Sequence, residues 1–95
     1  MTSEELQEYL ARDVRNSWLD TQKAYARLTV TQQLLEQANL ALELAQARYK
    51  LGLSSIVEFS QAELQKTDAD LQDTDAKYQY RVTQIMLAYQ MGERR

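Results

Sequence analysis

The sequence predicts an all-α fold, a long antiparallel helical hairpin of coiled-coil type, and three observations carry that prediction. Proline is absent from all 95 residues and glycine occurs twice, so the long Ala-, Leu-, Gln- and Glu-rich segments hold almost nothing that breaks a helix. Near the middle, a helix-stop signal at Gly52 is followed at once by a helix-start signal, Ser55 with Glu58 three residues later. Large side chains recur at every seventh position on both sides of that point, in matched phase about it.

Taken in order, Thr2 with Glu5 spells a capping box: the hydroxyl takes the N3 amide and the carboxylate returns to the N-cap amide. The first helix therefore starts near Ser3 and runs unbroken to about Lys50, on the order of 70 Å at 1.5 Å per residue. Gly52 supplies the left-handed stop, since a residue without Cβ adopts positive φ at no steric cost. Residues 51–55 form the turn, and Ser55 with Glu58 reads as a second capping box. The second helix runs from about Ile56 to Met91, with Gly92 as its stop. Glu93-Arg94-Arg95 makes a charged tail whose arginines suit the negative end of the helix dipole. Residues 1–95 read as a single hairpin domain.

The heptad rows assign the seam. In the first helix Val14, Thr21, Leu28, Leu35, Leu42 and Tyr49 form the large row. Its companion row, Leu10, Ser17, Ala24, Thr31, Ala38 and Ala45, is mostly small. In the second helix Val57, Leu64, Leu71, Tyr78 and Ile85 form the large row, with Ser60, Thr67, Thr74 and Ala88 as small companions and Arg81 as the exception. Facing large residues are placed symmetrically about Leu53, which predicts that these rows meet in the hairpin. Apolar surface remains: residues 34–45 are apolar around most of the cylinder, and Ala62, Ala69 and Ala76 form a further small row beside Phe59, Tyr80 and Leu87. Trp18, Tyr25 and Tyr9 also sit off the main row. A helix with two apolar stripes has two neighbours. The chain is thus expected to be a stave of an α-barrel wall or one half of a helical bundle.

Composition narrows the function. The chain is 44% apolar and 26% charged, too hydrophobic for a disordered segment. Its net charge of −3, with acids and bases interspersed, lacks the clustered basic face of a nucleic-acid binder. Cys and His are both absent, which removes thiol chemistry, zinc sites and His-based acid–base catalysis. No apolar run is long enough to span a bilayer, and Met-Thr-Ser-Glu-Glu-Leu carries no secretory targeting signal. No cofactor and no catalytic residue is expected, because a two-helix hairpin has no enclosed pocket. Asp68, Asp70, Asp73 and Asp75 lack the glycine and terminal glutamate of a calcium loop, so no metal site is expected there; they read as a solvated acidic face, or as negative charge along a water-filled lumen. Leu51 and Leu53 beside Gly52 either pack across the turn or form a contact surface for another protein.

The tip and its flanks resemble a known family. Leu35-Glu36-Gln37-Ala38, the run Ala45-Gln46-Ala47-Arg48-Tyr49-Lys50-Leu51-Gly52-Leu53-Ser54-Ser55-Ile56-Val57-Glu58-Phe59, Gln61-Ala62-Glu63-Leu64, Lys77-Tyr78-Gln79-Tyr80 and Leu87-Ala88-Tyr89-Gln90-Met91-Gly92 are similar to TolC-like outer-membrane efflux channels. The resemblance spans about Asp13 to Gly92, and Tyr-x-x-Gly at the turn is its most specific part. It implies a segment of the periplasmic tunnel of an efflux or secretion channel, a passive conduit and no enzyme. It implies an adaptor-binding tip at Leu51, Gly52, Leu53 and Ser54, meeting a periplasmic adaptor (membrane fusion) protein, and a pore constriction at Glu58. Gln61 stands where well-known members carry a second acid, a departure from their double acidic ring. The parent protein would sit in the outer membrane with a periplasmic extension. This segment would not insert in the membrane, and it would form a homo-oligomer by lateral helix packing. Neither transmembrane strands nor a second hairpin is present, so a fragment, truncated product or engineered piece is expected, self-associating as a four-helix bundle or a six-hairpin ring. The alternative is a structural coiled-coil hairpin acting only in helix association; an adaptor's own hairpin fits the turn less well.

Overall fold

Residues 2–93 are described by the structure, a computed structural model, in which α1 spans Ser3–Lys50 and α2 spans Ile56–Glu93. The two run antiparallel as one rod, 74 Å long and 15 by 14 Å across. At the start of α1 both halves of the capping box form. The Thr2 hydroxyl accepts from the Glu5 amide at 3.2 Å, and the Glu5 carboxylate accepts from the Thr2 amide at 3.3 Å.

The turn is built by a Schellman end. Gly52 takes φ +73°, its amide donates to the Tyr49 carbonyl at 3.0 Å, and the Leu53 amide donates to the Arg48 carbonyl at 2.8 Å. The Ser55 hydroxyl then accepts from the Glu58 amide at 3.3 Å, which opens α2. The return bond of the expected second capping box does not form: an exposed N-cap amide is served by water nearly as well as by a side chain. The far end differs as well. The sequence points to Gly92 as a stop, yet α2 continues through it to Glu93, because glycine permits a left-handed residue without compelling one. Arg94 and Arg95, and the dipole contact expected of them, lie outside the described residues.

The helices pack through rows that repeat every seven residues. On α1 the seam is the one the heptads select: Ser17, Thr21 and Thr31 are buried and Val14, Leu28, Leu35 and Leu42 half-buried along it. On α2 the assignment is corrected. The large row Val57, Leu64, Leu71, Tyr78 and Ile85 faces outward, 58–70% exposed, and the seam is lined instead by Ala62, Ala69, Asp73 and Ala76, with Phe59, Tyr80 and Leu87 beside them. Symmetry about the turn fixes which residue lies level with which, but not which side of α2 is turned inward, because every heptad row shares the same symmetry. Alanines opposite the leucines of α1 let the two axes approach closely. Ring contacts fit the same seam: Tyr25 meets Tyr80 at 5.5 Å and Tyr49 meets Phe59 at 5.6 Å.

Burial is thin. The accessible surface is 7501 Å² for a chain of 11.1 kDa, whereas a compact protein of that mass exposes about 5,700 Å². No large side chain is fully buried among the described residues, and the first turns of α1, Ser3 to Tyr9, are exposed throughout. No helix among them is long and apolar enough to cross a membrane.

Two outcomes test this packing. Ala69→Leu, crowding the seam, should lower the stability of the hairpin by about 1–3 kcal/mol in urea unfolding, while Leu71→Ala, on the outward row, should change a dilute monomer by less than about 0.5 kcal/mol. Gly52→Ala has open space for its methyl but must hold φ +73°. It should cost about 1–2 kcal/mol from backbone conformation alone.

Candidate functional site

The tip is where local chemistry is least negotiable. The Schellman bonds and the Ser55 cap leave residues 51–55 few conformations, and they hold two leucines out in water. Leu51 is 74% exposed and Leu53 66%, so neither packs across the turn as such leucines commonly do. The apolar pair sits on this turn with Arg48 and Lys50 in the last turn of α1 beside it, which makes the tip a candidate contact surface. Ser54 stands apart from the other three tip residues. It is half-buried, and its hydroxyl is turned into the protein with no hydrogen-bond partner among the described residues.

Glu58 lies one turn into α2, exposed, with its amide engaged by Ser55 and its carboxylate unengaged. Steps of seven place Gln65, Gln72 and Gln79 on the same line along α2, all exposed. Gln79 accepts from Arg27, and Gln72 donates to Asp68 at 2.8 Å. This file of amides, headed by one carboxylate, is wettable and only weakly charged. Gln61 is exposed nearby and adds no second acid.

The four aspartates do not converge. Asp70 pairs with Lys66 at 2.6 Å and Asp75 with Arg27 at 3.0 Å, both on the surface, where such pairs contribute about 0–1 kcal/mol each. No group of three or more potential metal ligands forms among the described residues. Asp73 departs from the solvated face expected for this cluster: it is 2% exposed, inside the seam. Its Oδ1 lies 3.0 Å from the Thr31 hydroxyl and its Oδ2 3.0 Å from Lys77 Nζ. The Thr31 hydroxyl is also 3.0 Å from the Leu28 carbonyl; with a single proton to give, it favours the charged acceptor. Both carboxylate oxygens of this buried residue therefore have a partner, and a hydrogen bond to a charged group contributes roughly 1.5–3 kcal/mol. Sequence reasoning missed this couple. Its signal was an aspartate midway along the Ala62, Ala69, Ala76 face, level with the one threonine in the central part of the α1 seam.

Beyond the tip, the outward row of α2 is the second candidate surface. Val57, Leu64, Leu71, Tyr78 and Ile85 form an exposed apolar row along α2, with Tyr78 also bordering a groove with Lys23, Ala24 and Arg27 of α1. The other edge of the rod carries exposed Leu19, Val30, Leu40 and Leu44 on α1.

In comparisons with known proteins, the family model described as outer membrane efflux protein matches residues 4–93. No curated protein and no solved structure matches the chain.

The tip leucines are predicted to be energetically idle in the isolated hairpin. Leu51→Asp and Leu53→Asp should each shift the urea midpoint by the equivalent of less than about 0.5 kcal/mol. A larger loss would mean that they support the turn rather than merely project from it.

Proposed function

Because the chain belongs to the outer membrane efflux protein family, we propose that these residues form one hairpin of the periplasmic tunnel of an efflux or secretion channel, docking a periplasmic adaptor through the tip. The observation that carries the docking is the pair Leu51 and Leu53, held in water on a glycine-dependent turn. Exposed leucines weaken solubility unless a partner covers them, and a fixed turn lowers the ordering cost of binding. Ser54, turned inward, shapes the turn more than it touches a partner.

The remaining surfaces fit a conduit. Apolar edges on both long sides of a thin rod call for a helix on each side, as in a wall of parallel staves. Homo-oligomers in which one edge meets the other close into rings when the rotation between neighbours completes a full turn. The amide file behind Glu58 lines a path without binding what passes, and Glu58 sets a negative charge at its narrow end. Nothing in this role requires catalysis, a cofactor or a metal.

An immobilised adaptor hairpin from the same genome provides the test. The unmodified chain should be retained, and Leu53→Asp should lower recovery by about tenfold or more, as removal of a central apolar anchor does. Gly52→Ala, which disturbs the turn but keeps both leucines, should also lower it. Equal recovery of all three would contradict tip docking. Light scattering over a concentration series tests the wall: association should grow with concentration and fall in Leu64→Asp, and a strictly monomeric chain would contradict lateral packing.

A further inference from the structure

The second helix has two apolar rows on opposite sides, and burial alone would turn the larger one inward. The structure does the reverse: the buried apolar side chains of α2 are Ala62, Ala69 and Ala76, while Val57, Leu64, Leu71, Tyr78 and Ile85 stay 58–70% exposed. Something other than apolar area sets the face. The seam contains one buried charged side chain among the described residues, Asp73, and it is on the alanine side of α2. Opposite, the α1 seam buries three hydroxyl residues, Ser17, Thr21 and Thr31. Thr31 reaches Asp73 at 3.0 Å and Ser17 donates to Gln90. Turning α2 by half a revolution would send Asp73 and Gln90 to water and set those hydroxyls against Leu71, Tyr78 and Ile85.

We propose that Asp73, held by Thr31, is the positioning residue that selects which face of α2 meets α1, and that it thereby keeps the large row outward as a surface for a neighbouring helix. Apolar area favours the larger row, whereas the directional Thr31–Asp73 and Ser17–Gln90 bonds form only with the small row inward and oppose that preference. This goes beyond the transport role and stands whether or not the tip binds an adaptor. The competing explanation is that the alanines choose the face through close approach, and one substitution separates the two. Asp73→Ala extends the alanine row while removing the carboxylate: alanine-driven selection is kept or strengthened, and selection by the Thr31 bond is lost.

The chain has no cysteine, so engineered pairs report orientation without background. Ala38 and Ala69 line one groove between the helices. Ala38→Cys is combined with Ala69→Cys, which reports the observed face, or with Leu71→Cys, which reports the rotated one, and intramolecular disulfide yields are measured at low protein concentration. In the otherwise unmodified chain the 38–69 bridge should predominate. Asp73→Ala should shift the ratio of the two yields by about tenfold toward 38–71, the size expected for losing a hydrogen bond to a charged group. Asp73→Asn, which can still accept from Thr31 but carries no charge, should restore part of the original preference, between Asp73→Ala and the otherwise unmodified chain. A ratio unchanged by Asp73→Ala overturns the proposal, and so does a shift that Asp73→Asn fails to rescue. If Asp73→Ala loses its helical circular dichroism, the same ratio in Thr31→Val decides, and an unchanged preference there overturns it too.

Discussion

A helix with apolar rows on opposite sides can give only one of them to a single neighbour, and the rest of this hairpin follows from which row α2 gives to α1. It gives the small one. Alanines face the leucines of α1, and the Thr31–Asp73 contact sits inside that seam with Lys77 reaching it from the surface. The large row is left on the far side, where the hairpin alone has nothing to cover it. A rod that hides its small residues and displays its large ones is organised for company, and the excess of accessible surface over that of a compact protein has the same origin. The chain belongs to a channel family, and a wall of helices is the role proposed for that surface.

The tip obeys a different constraint. Two long helices can be reversed within five residues only if one of them takes a left-handed conformation, and Gly52 at φ +73° is that residue. The bonds that follow, from Gly52 to Tyr49 and from Leu53 to Arg48, satisfy carbonyls at the end of α1, and both leucine side chains stay exposed beside them. The tip is closed by backbone bonds, and the seam behind it buries little.

Much of this was legible in the residues. The capping signals at Thr2 and Ser55, the stop at Gly52 and the absence of proline specify two helices and one turn, because each is a local rule with a local outcome. The seam of α1 was legible too, since only one of its faces carries an unbroken heptad pattern. On α2 the size of Leu64, Leu71, Tyr78 and Ile85 favoured the wrong face, because a size-based reading treats burial as the sole criterion and takes no account of the distance between axes or of Asp73. The same oversight placed Asp73 on a solvated face with Asp68, Asp70 and Asp75. Gly92 was over-read for a related reason: a residue that allows a stop is not a stop without the hydrogen bonds that complete one. Leu51 and Leu53 left two possibilities open in the sequence, and their exposure removes one of them, packing across the turn.

The packing of α2 is the point on which the whole description turns, and methyl-resolved NMR on a labelled hairpin reaches it directly. Intramolecular nuclear Overhauser contacts should connect the methyls of Leu35, Ala38 and Leu42 with those of Ala62 and Ala69, while the methyls of Leu64 and Leu71 show contacts to α1 of no chain but a neighbour's. Intramolecular contacts from Leu64 and Leu71 to Leu35 and Leu42 would contradict it, because they would put the large row of α2 inside the hairpin.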